Sequence, residues 1–348
     1  MQMPRVLETS AEWLHDDVAD PTTYTEVLNA AELEELDRAL HVAKAKSTDM
    51  LQLGKDDFPL QGLGERLRRI ENDLINGRGF VVIRGLPRAR YDNDDMCLLY
   101  WGLGAHLGKP WAQNKHGHVL GDVTDQQKRV NDPNTRGNEL GSVPLPYHSD
   151  GADLVGLMCL QTSATGGVST VCNALAIHND MARETPELTA ELYAPQPYDF
   201  RGEQTDGGKA YYSMPVFTEW NNRLFIRYIR PYILASQRHA DAPRITPRAE
   251  EAMQRMDAMT RDRKYEVFMD FEPGDIQFVN NYHVLHARTG YTDDPATGRV
   301  RHLKRLWLET EVLKDRPPHF ANTSRNDWDQ RRSISRLDRK PVSAPETP

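Results

Sequence analysis

The chain has 348 residues, 27% of them charged, and a formal net charge of -8. Its pI near 5.9 excludes a general affinity for nucleic acid, and no basic stripe or charge run restores one. No apolar run approaches the roughly 20 residues that span a membrane, and the start M-Q-M-P-R-V-L-E-T lacks an apolar signal segment.

In chain order, Asn29-Ala-Ala-Glu32 reads as a capping box, with Leu33, Leu36 and Leu40 following at helical spacing. A second amphipathic helix is expected over Leu63 to Ile75, with Gly77 to end it. The apolar run from Gly79 to Leu86 reads as a buried strand, and Asn93 to Leu107 as a helix. From about Val155 the pattern turns to β. Gly156 to Gln161 and Val168 to Asn173 are strand-like, separated by Gly166-Gly167. Val216 to Trp220 and Arg223 to Ile229 form a hairpin about Asn221-Asn222, because Asn tolerates the positive φ of a two-residue turn. Thr246-Pro247 opens another helix. Lys264 to Phe271, then E-P-G-D, then Ile276 to Asn280 make a strand-turn-strand unit, and Val300 to Thr310 is a last strand.

The fold expected is α+β: a double-stranded β-helix (jelly roll) with flanking, mostly N-terminal helices. One catalytic domain covers residues 1–330, its N-terminal helical region reaching about residue 78. Residues 331–348 form a polar tail expected to be disordered. Three cysteines, Cys97, Cys159 and Cys172, lack C-x-x-C spacing and are too few for a disulfide framework. A reduced, cytoplasmic protein follows, with Cys159 and Cys172 as core thiols.

The chemistry is concentrated in P-Y-H148-S-D150-G-A-D. Residues i and i+2 of an extended segment point the same way, so His148 and Asp150 can reach one ion. A second imidazole from another strand would complete one face of a metal and leave three positions open, the ligand set of non-heme Fe(II) oxygenases. His283 and His286, in N-Y-H283-V-L-H286-A-R, both qualify, but three residues apart they cannot face the same way on a regular strand. Downstream, R301-H-L-K-R305-L-W-L places Arg301 and Arg305 on one face of a strand, suited to an anionic co-substrate.

P-Y-H148-S-D150-G-A-D-L-V-G-L-M-C-L, A-T-G-G-V-S-T, E-P-G-D-I-Q-F-V-N-N-Y-H-V-L-H286-A-R-T and R301-H-L-K-R305-L-W-L, in that order, resemble the TauD/TfdA-like Fe(II)/2-oxoglutarate dioxygenases. The resemblance covers roughly Gly79 to Leu308. It implies that His148, Asp150 and His286 bind Fe(II), and that His283 does not. It implies that Arg301 holds the distal carboxylate of 2-oxoglutarate and that Arg305 lies near its 1-carboxylate or the substrate. A hydroxyl after the Gly pair, Ser169 or else Thr170, is a further co-substrate contact. O2 and 2-oxoglutarate would be consumed, with release of succinate and CO2, as a C–H bond is oxidised. Asp150 argues against halogenation, which needs the carboxylate position vacant.

For the prime substrate the pattern points to a small polar, anionic or amino-acid-derived metabolite. Tyr211, Tyr212, Arg227, Tyr228 and Arg230 fall on the predicted strand pair, and Asn114, Lys115 and Asn131 in loops before the H-x-D. Strand alternation puts Arg227 and Arg230 on opposite faces, so one at most lines the site, and Arg227 shares its face with Phe225 and Ile229. The residues permit a homo-oligomer and give no sign of a nucleic-acid or membrane partner. Competing classes are a Zn-dependent hydrolase, since zinc accepts the same ligands, and a non-catalytic metal- or ligand-binding jelly roll.

Overall fold

The computed structural model describes residues 3–204, 207–320 and 328–335. Seven α-helices and two packed β-sheets form their framework. The helices are α1 (Ala30–Lys46), α2 (Gly62–Asn76), α3 (Asn93–Leu107), α4 (Ala174–Glu184), α5 (Pro186–Glu191), α6 (Arg230–Ala235) and α7 (Pro247–Thr260). The strands that build the site are β1 (Phe80–Arg84), β2 (His118–Val123), β3 (Leu145–His148), β4 (Leu154–Gln161), β5 (Ser169–Asn173), β6 (Arg223–Ile226), β7 (Val267–Met269), β8 (Ile276–Asn280), β9 (Val284–Arg288) and β10 (His302–Glu309).

The larger sheet has the order Thr25–Val27, β1, β8, β4, β10, β2, Ser333–Ile334, with Lys109–Trp111 also pairing β10. The smaller runs β7, β5, β9, β3. Strand alternation decides which core each side chain joins. Phe80, Val82, Val155, Val279 and Trp307 of the large sheet pack with Val171, Val267, Met269 and Val284 of the small one. Val81, Ile83, Met158, Phe278, Leu306 and Leu308 face the other way, into a second core with Leu36, Leu67 and Leu99 of α1–α3. On the outer face of the small sheet, Cys172 and Leu285 join Ile177, Met253 and Met256 of α4 and α7. The result is a jelly roll with helices on both sides.

Local signals place the elements. Asn29 accepts from the Glu32 N–H at 3.0 Å while the Glu32 carboxylate accepts from the Asn29 N–H at 2.9 Å, closing the expected capping box on α1. Thr246 caps α7 through the Ala249 N–H, with Pro247 at its first position. Asn221 and Asn222 adopt φ of 48° and 59° between Phe217–Trp220 and β6. Three expectations are corrected. β6 stops at Ile226 and Arg230 opens α6, so Arg227 to Ile229 are not strand. The expected strand from Lys264 to Phe271 is only β7. Ser333–Ile334, inside the expected tail, pairs with β2 because its backbone meets the free edge at His118 and Leu120. Residues 336–348 lie outside the described residues. All three cysteines are free and buried, and burial pushes the Cys159 thiol up to about 12. Among the described residues no helix is long and apolar enough to cross a membrane.

Candidate metal centre and adjoining pockets

β3 and β9 pair antiparallel with His148 directly opposite His286, which sets the two imidazoles side by side at 4.2 Å between centroids. Asp150 follows β3 in the turn that ends the strand. Single ligand atoms from His148, Asp150 and His286 lie within 4.8 Å of one another, a spacing that fits one ion. His283 is elsewhere. Its ring packs on Gly79, where a Cβ would come within 2.1 Å of Nε2.

The surroundings fix each group. His148 Nδ1 lies 2.9 Å from the Pro146 carbonyl, which can only accept, so Nδ1 carries the proton and Nε2 keeps its lone pair. His286 Nε2 lies 3.9 Å from Asp150 Oδ2. Burial, together with His148, pushes the His286 imidazole down to about 3, so it stands neutral, as a ligand must. Burial alone would raise the Asp150 carboxyl, but the Arg305 guanidinium, helped by the Trp307 N–H, outweighs it and holds the group well below the usual carboxylate range. The Trp307 indole N–H donates to Asp150 Oδ2 at 2.9 Å, and Arg305 Nη1 lies 3.2 Å from the same oxygen. Asn281 ties the turn down: its Oδ1 accepts from the Asp150 N–H and its Nδ2 donates to the Ala152 carbonyl, both at 3.0 Å.

Along β9, Arg288 comes two residues after His286 and shares its face. It meets Arg301, which enters from the start of β10. The two guanidinium groups lie over the Tyr291 ring at 4.6 and 5.2 Å. Both are buried, and each keeps a buried nitrogen without a hydrogen-bond partner, Nε of Arg288 and Nη1 of Arg301. Burial and the neighbouring Arg301 push Arg288 down to about 10, and burial lowers Arg301. Two buried cations with donors to spare suit a carboxylate. Gly167 makes room: at φ 73°, a Cβ there would meet the Arg301 side chain at 2.9 Å. Ser169 is paired with Arg288 in register and so shares that face, whereas Thr170, the next residue along the strand, faces away.

Above the triad lies a cavity of about 270 Å³, bounded by His148, Asp150, Arg305, Arg227, Tyr212 and Trp307 among others. Arg227 lines it. Arg230 does not, being ion-paired with Asp257 at 2.9 Å and with Glu250 on α7. Tyr228 also points away, its hydroxyl bonded to Asp257 Oδ1 at 2.5 Å, so it does not line this cavity. Tyr211 bonds the Asp241 carbonyl. Asn114 is a loop clamp for His116 and His118, Lys115 bonds the Gly202 carbonyl, and Asn131 is exposed; none of the three borders the cavity. The sequence reading missed Arg288, Trp307, Asn281 and Gln113, which accepts from Arg305 Nε at 2.8 Å. Only Arg288 carried a signal, its i+2 spacing from His286.

A jelly roll holding two histidines and an aspartate at one point, beside buried arginines, defines a non-heme iron oxygenase of the 2-oxoglutarate-dependent class. Residues 43–307 match the family described as taurine catabolism dioxygenase TauD, TfdA family, and the chain belongs to it. FR-33289 synthase of Streptomyces rubellomurinus (strain ATCC 31215) is 30% identical over 314 residues, 89% of this chain and 92% of that protein. Enduracididine beta-hydroxylase of Streptomyces hygroscopicus is 26% identical over 243 residues, 63% of this chain and 68% of that protein. Among solved structures, asparagine oxygenase in complex with Fe(II), hydroxyasparagine and succinate superimposes with a TM-score of 0.62 at 19% identity, covering 85% of this chain and 98% of that one.

Proposed function

We propose that this protein hydroxylates an aliphatic C–H bond of a small polar, amino-acid-derived metabolite in the cytoplasm, with His148, Asp150 and His286 as the iron ligands. The observation that carries the reading is the joining of two features on β9: a neutral, buried His286 in the triad and, two residues on, Arg288 beside Arg301. Bound iron and 2-oxoglutarate supply the oxidising power, and the co-substrate leaves as succinate and CO2. The chain supplies the rest. His148 offers Nε2 because the Pro146 carbonyl holds its other nitrogen. Trp307 and Arg305 set the rotation of the Asp150 carboxylate. Arg301, with Arg288 and Ser169, grips the distal carboxylate of the co-substrate, and Arg305 stands beside the triad for its other end. Trp307, Tyr212, Leu145 and Ile229 keep water from the reacting carbon. No side chain needs to act as a general base. A zinc hydrolase would leave the Arg288–Arg301 pair without a task. The amino-acid-derived class is supported by the names of the relatives above.

The test is anaerobic addition of Fe(II) and 2-oxoglutarate. A visible charge-transfer band should form in the wild type and be lost in His286→Ala. A succinate-release screen over amino-acid derivatives then identifies the substrate, and absence of the band in the wild type removes the reading.

A further inference from the structure

The cavity above the triad is lined by four arginines, Arg136, Arg201, Arg227 and Arg305. Two are ion-paired, and a third is held by backbone carbonyls. Arg305 pairs with Asp150. Arg136 pairs with Glu139 at 3.5 Å and Glu203 at 4.0 Å. Arg201 donates to the carbonyls of Pro133, Thr135 and Pro231 and lies 4.6 Å over the Tyr232 ring.

Arg227, like Arg201, takes part in no ion pair among the described residues, but it alone of the two is held against the triad segment, through Ser149. Nη1 donates to the Ser149 carbonyl at 2.8 Å, and Nη2 and Nε donate to the Tyr212 hydroxyl at 2.8 and 3.3 Å. Tyr212 is itself stacked on Tyr198 at 5.1 Å, and the Tyr198 hydroxyl donates to the Arg227 carbonyl. A guanidinium has five N–H donors, so two remain. A fixed planar fork with spare donors matches an oxyanion. The acids of the cavity are not equally available. Asp199 is fully buried against Arg238 and His239, and Glu203 accepts from the Lys115 N–H and faces Arg136. The site thus offers a cation without a matching free acid.

We infer that Arg227 anchors an oxyanion of the prime substrate, a carboxylate, sulfonate or phosphonate, and that the oxidised carbon lies only a few bonds from it. The second part follows from position: Ser149, which Arg227 grips, stands between the triad residues His148 and Asp150. The inference rests on the dioxygenase reading of this site and names its substrate class. The carboxylates bordering the cavity are already paired with arginines, so a lone ammonium group meets no free acid here.

The test uses the full chain loaded anaerobically with Fe(II) and 2-oxoglutarate. Butanoate, propane-1-sulfonate, propylphosphonate, butanamide and butylammonium are titrated by calorimetry and by the visible band. At least one oxyanion should bind, and the amide and the ammonium should not; which oxyanion binds best gives the headgroup. Arg227→Gln should weaken that oxyanion by at least about tenfold, with the 2-oxoglutarate Kd unchanged. Tyr212→Phe keeps the charge but frees the fork, and should cost about threefold. Thermal melts show that both variants fold. Binding of butanamide as tightly as butanoate, binding of no oxyanion, or an unchanged affinity in Arg227→Gln overturns the inference. A wild type that forms no band with Fe(II) and 2-oxoglutarate defeats the dioxygenase reading instead, and calorimetry of the metal-free protein with the same probes still decides Arg227.

Discussion

Trp307 donates its indole N–H to Oδ2 of Asp150, so the aromatic residue that closes the cavity also orients the only carboxylate of the triad. Outer partners of this kind change metal affinity by about 10–100-fold when removed. Trp307→Phe keeps an aromatic side chain, though a smaller one, and loses the N–H. Fe(II) affinity, measured by competition with a chelator, should fall by about tenfold in a variant that a thermal melt shows to be folded. An unchanged affinity would show that Arg305 alone suffices to hold Asp150.

The two downstream histidines separate cleanly. His286→Ala should abolish Fe(II) binding and substrate-dependent succinate formation with the fold intact. His283→Leu should retain both, because His283 packs on Gly79 and not at the triad. The reverse pattern would overturn the ligand assignment.

On the proposed reading, removing Arg301 leaves the distal carboxylate with Arg288 as its one remaining cation in a buried site, and loss of a buried charged partner costs about 2–5 kcal/mol. Arg301→Ala should therefore raise the KM for 2-oxoglutarate steeply and leave Fe(II) affinity alone. Arg301→Lys should recover only part, since the planar fork is gone. Arg288→Ala should raise the same KM by a smaller factor. Normal 2-oxoglutarate saturation in Arg301→Ala would transfer the role to Arg305.

Two histidines outside the site set an acid limit on stability. Burial pushes His178 and His283 each down to about 4. In the unfolded chain both titrate near 6.5. Between those values the unfolded state binds protons that the folded state refuses, so stability is full above pH about 6.5 and falls as pH drops toward 4. Urea unfolding of the metal-free protein across this range should show the decline. His283→Leu, which removes a ring whose Nε2 has no partner, should flatten the slope by up to one proton. An identical slope in that variant would mean that His283 is protonated in the fold.

Much of this was legible in the sequence because local chemistry carried it. The Asn29–Glu32 box, the Asn221-Asn222 turn and the Thr246 cap each announce an element within four residues. The H-x-D pair and the family's spacing selected His148, Asp150 and His286 before their meeting across β3 and β9 was visible. What stayed hidden depends on long-range packing. Periodicity extended β6 to Ile229, but the chain leaves the strand after Ile226 and turns into α6 at Arg230, to which α7 offers Asp257 and Glu250. Tyr228 is drawn to the same helix. Asn281, 131 residues from Asp150, has no local mark of its function. Trp307 looked like one more apolar strand residue until its N–H was placed.

β9 is also a ruler. It directs His286 to the triad and Arg288 to the side of Arg301, two residues and about 6.8 Å of strand apart. That span is comparable with the length of a five-carbon diacid. Pairing on both edges, with β5 and β3, holds the strand against sliding. On the proposed assignment, one strand sets the distance from the metal to the far carboxylate, and a keto diacid one carbon shorter or longer should bind less tightly than 2-oxoglutarate.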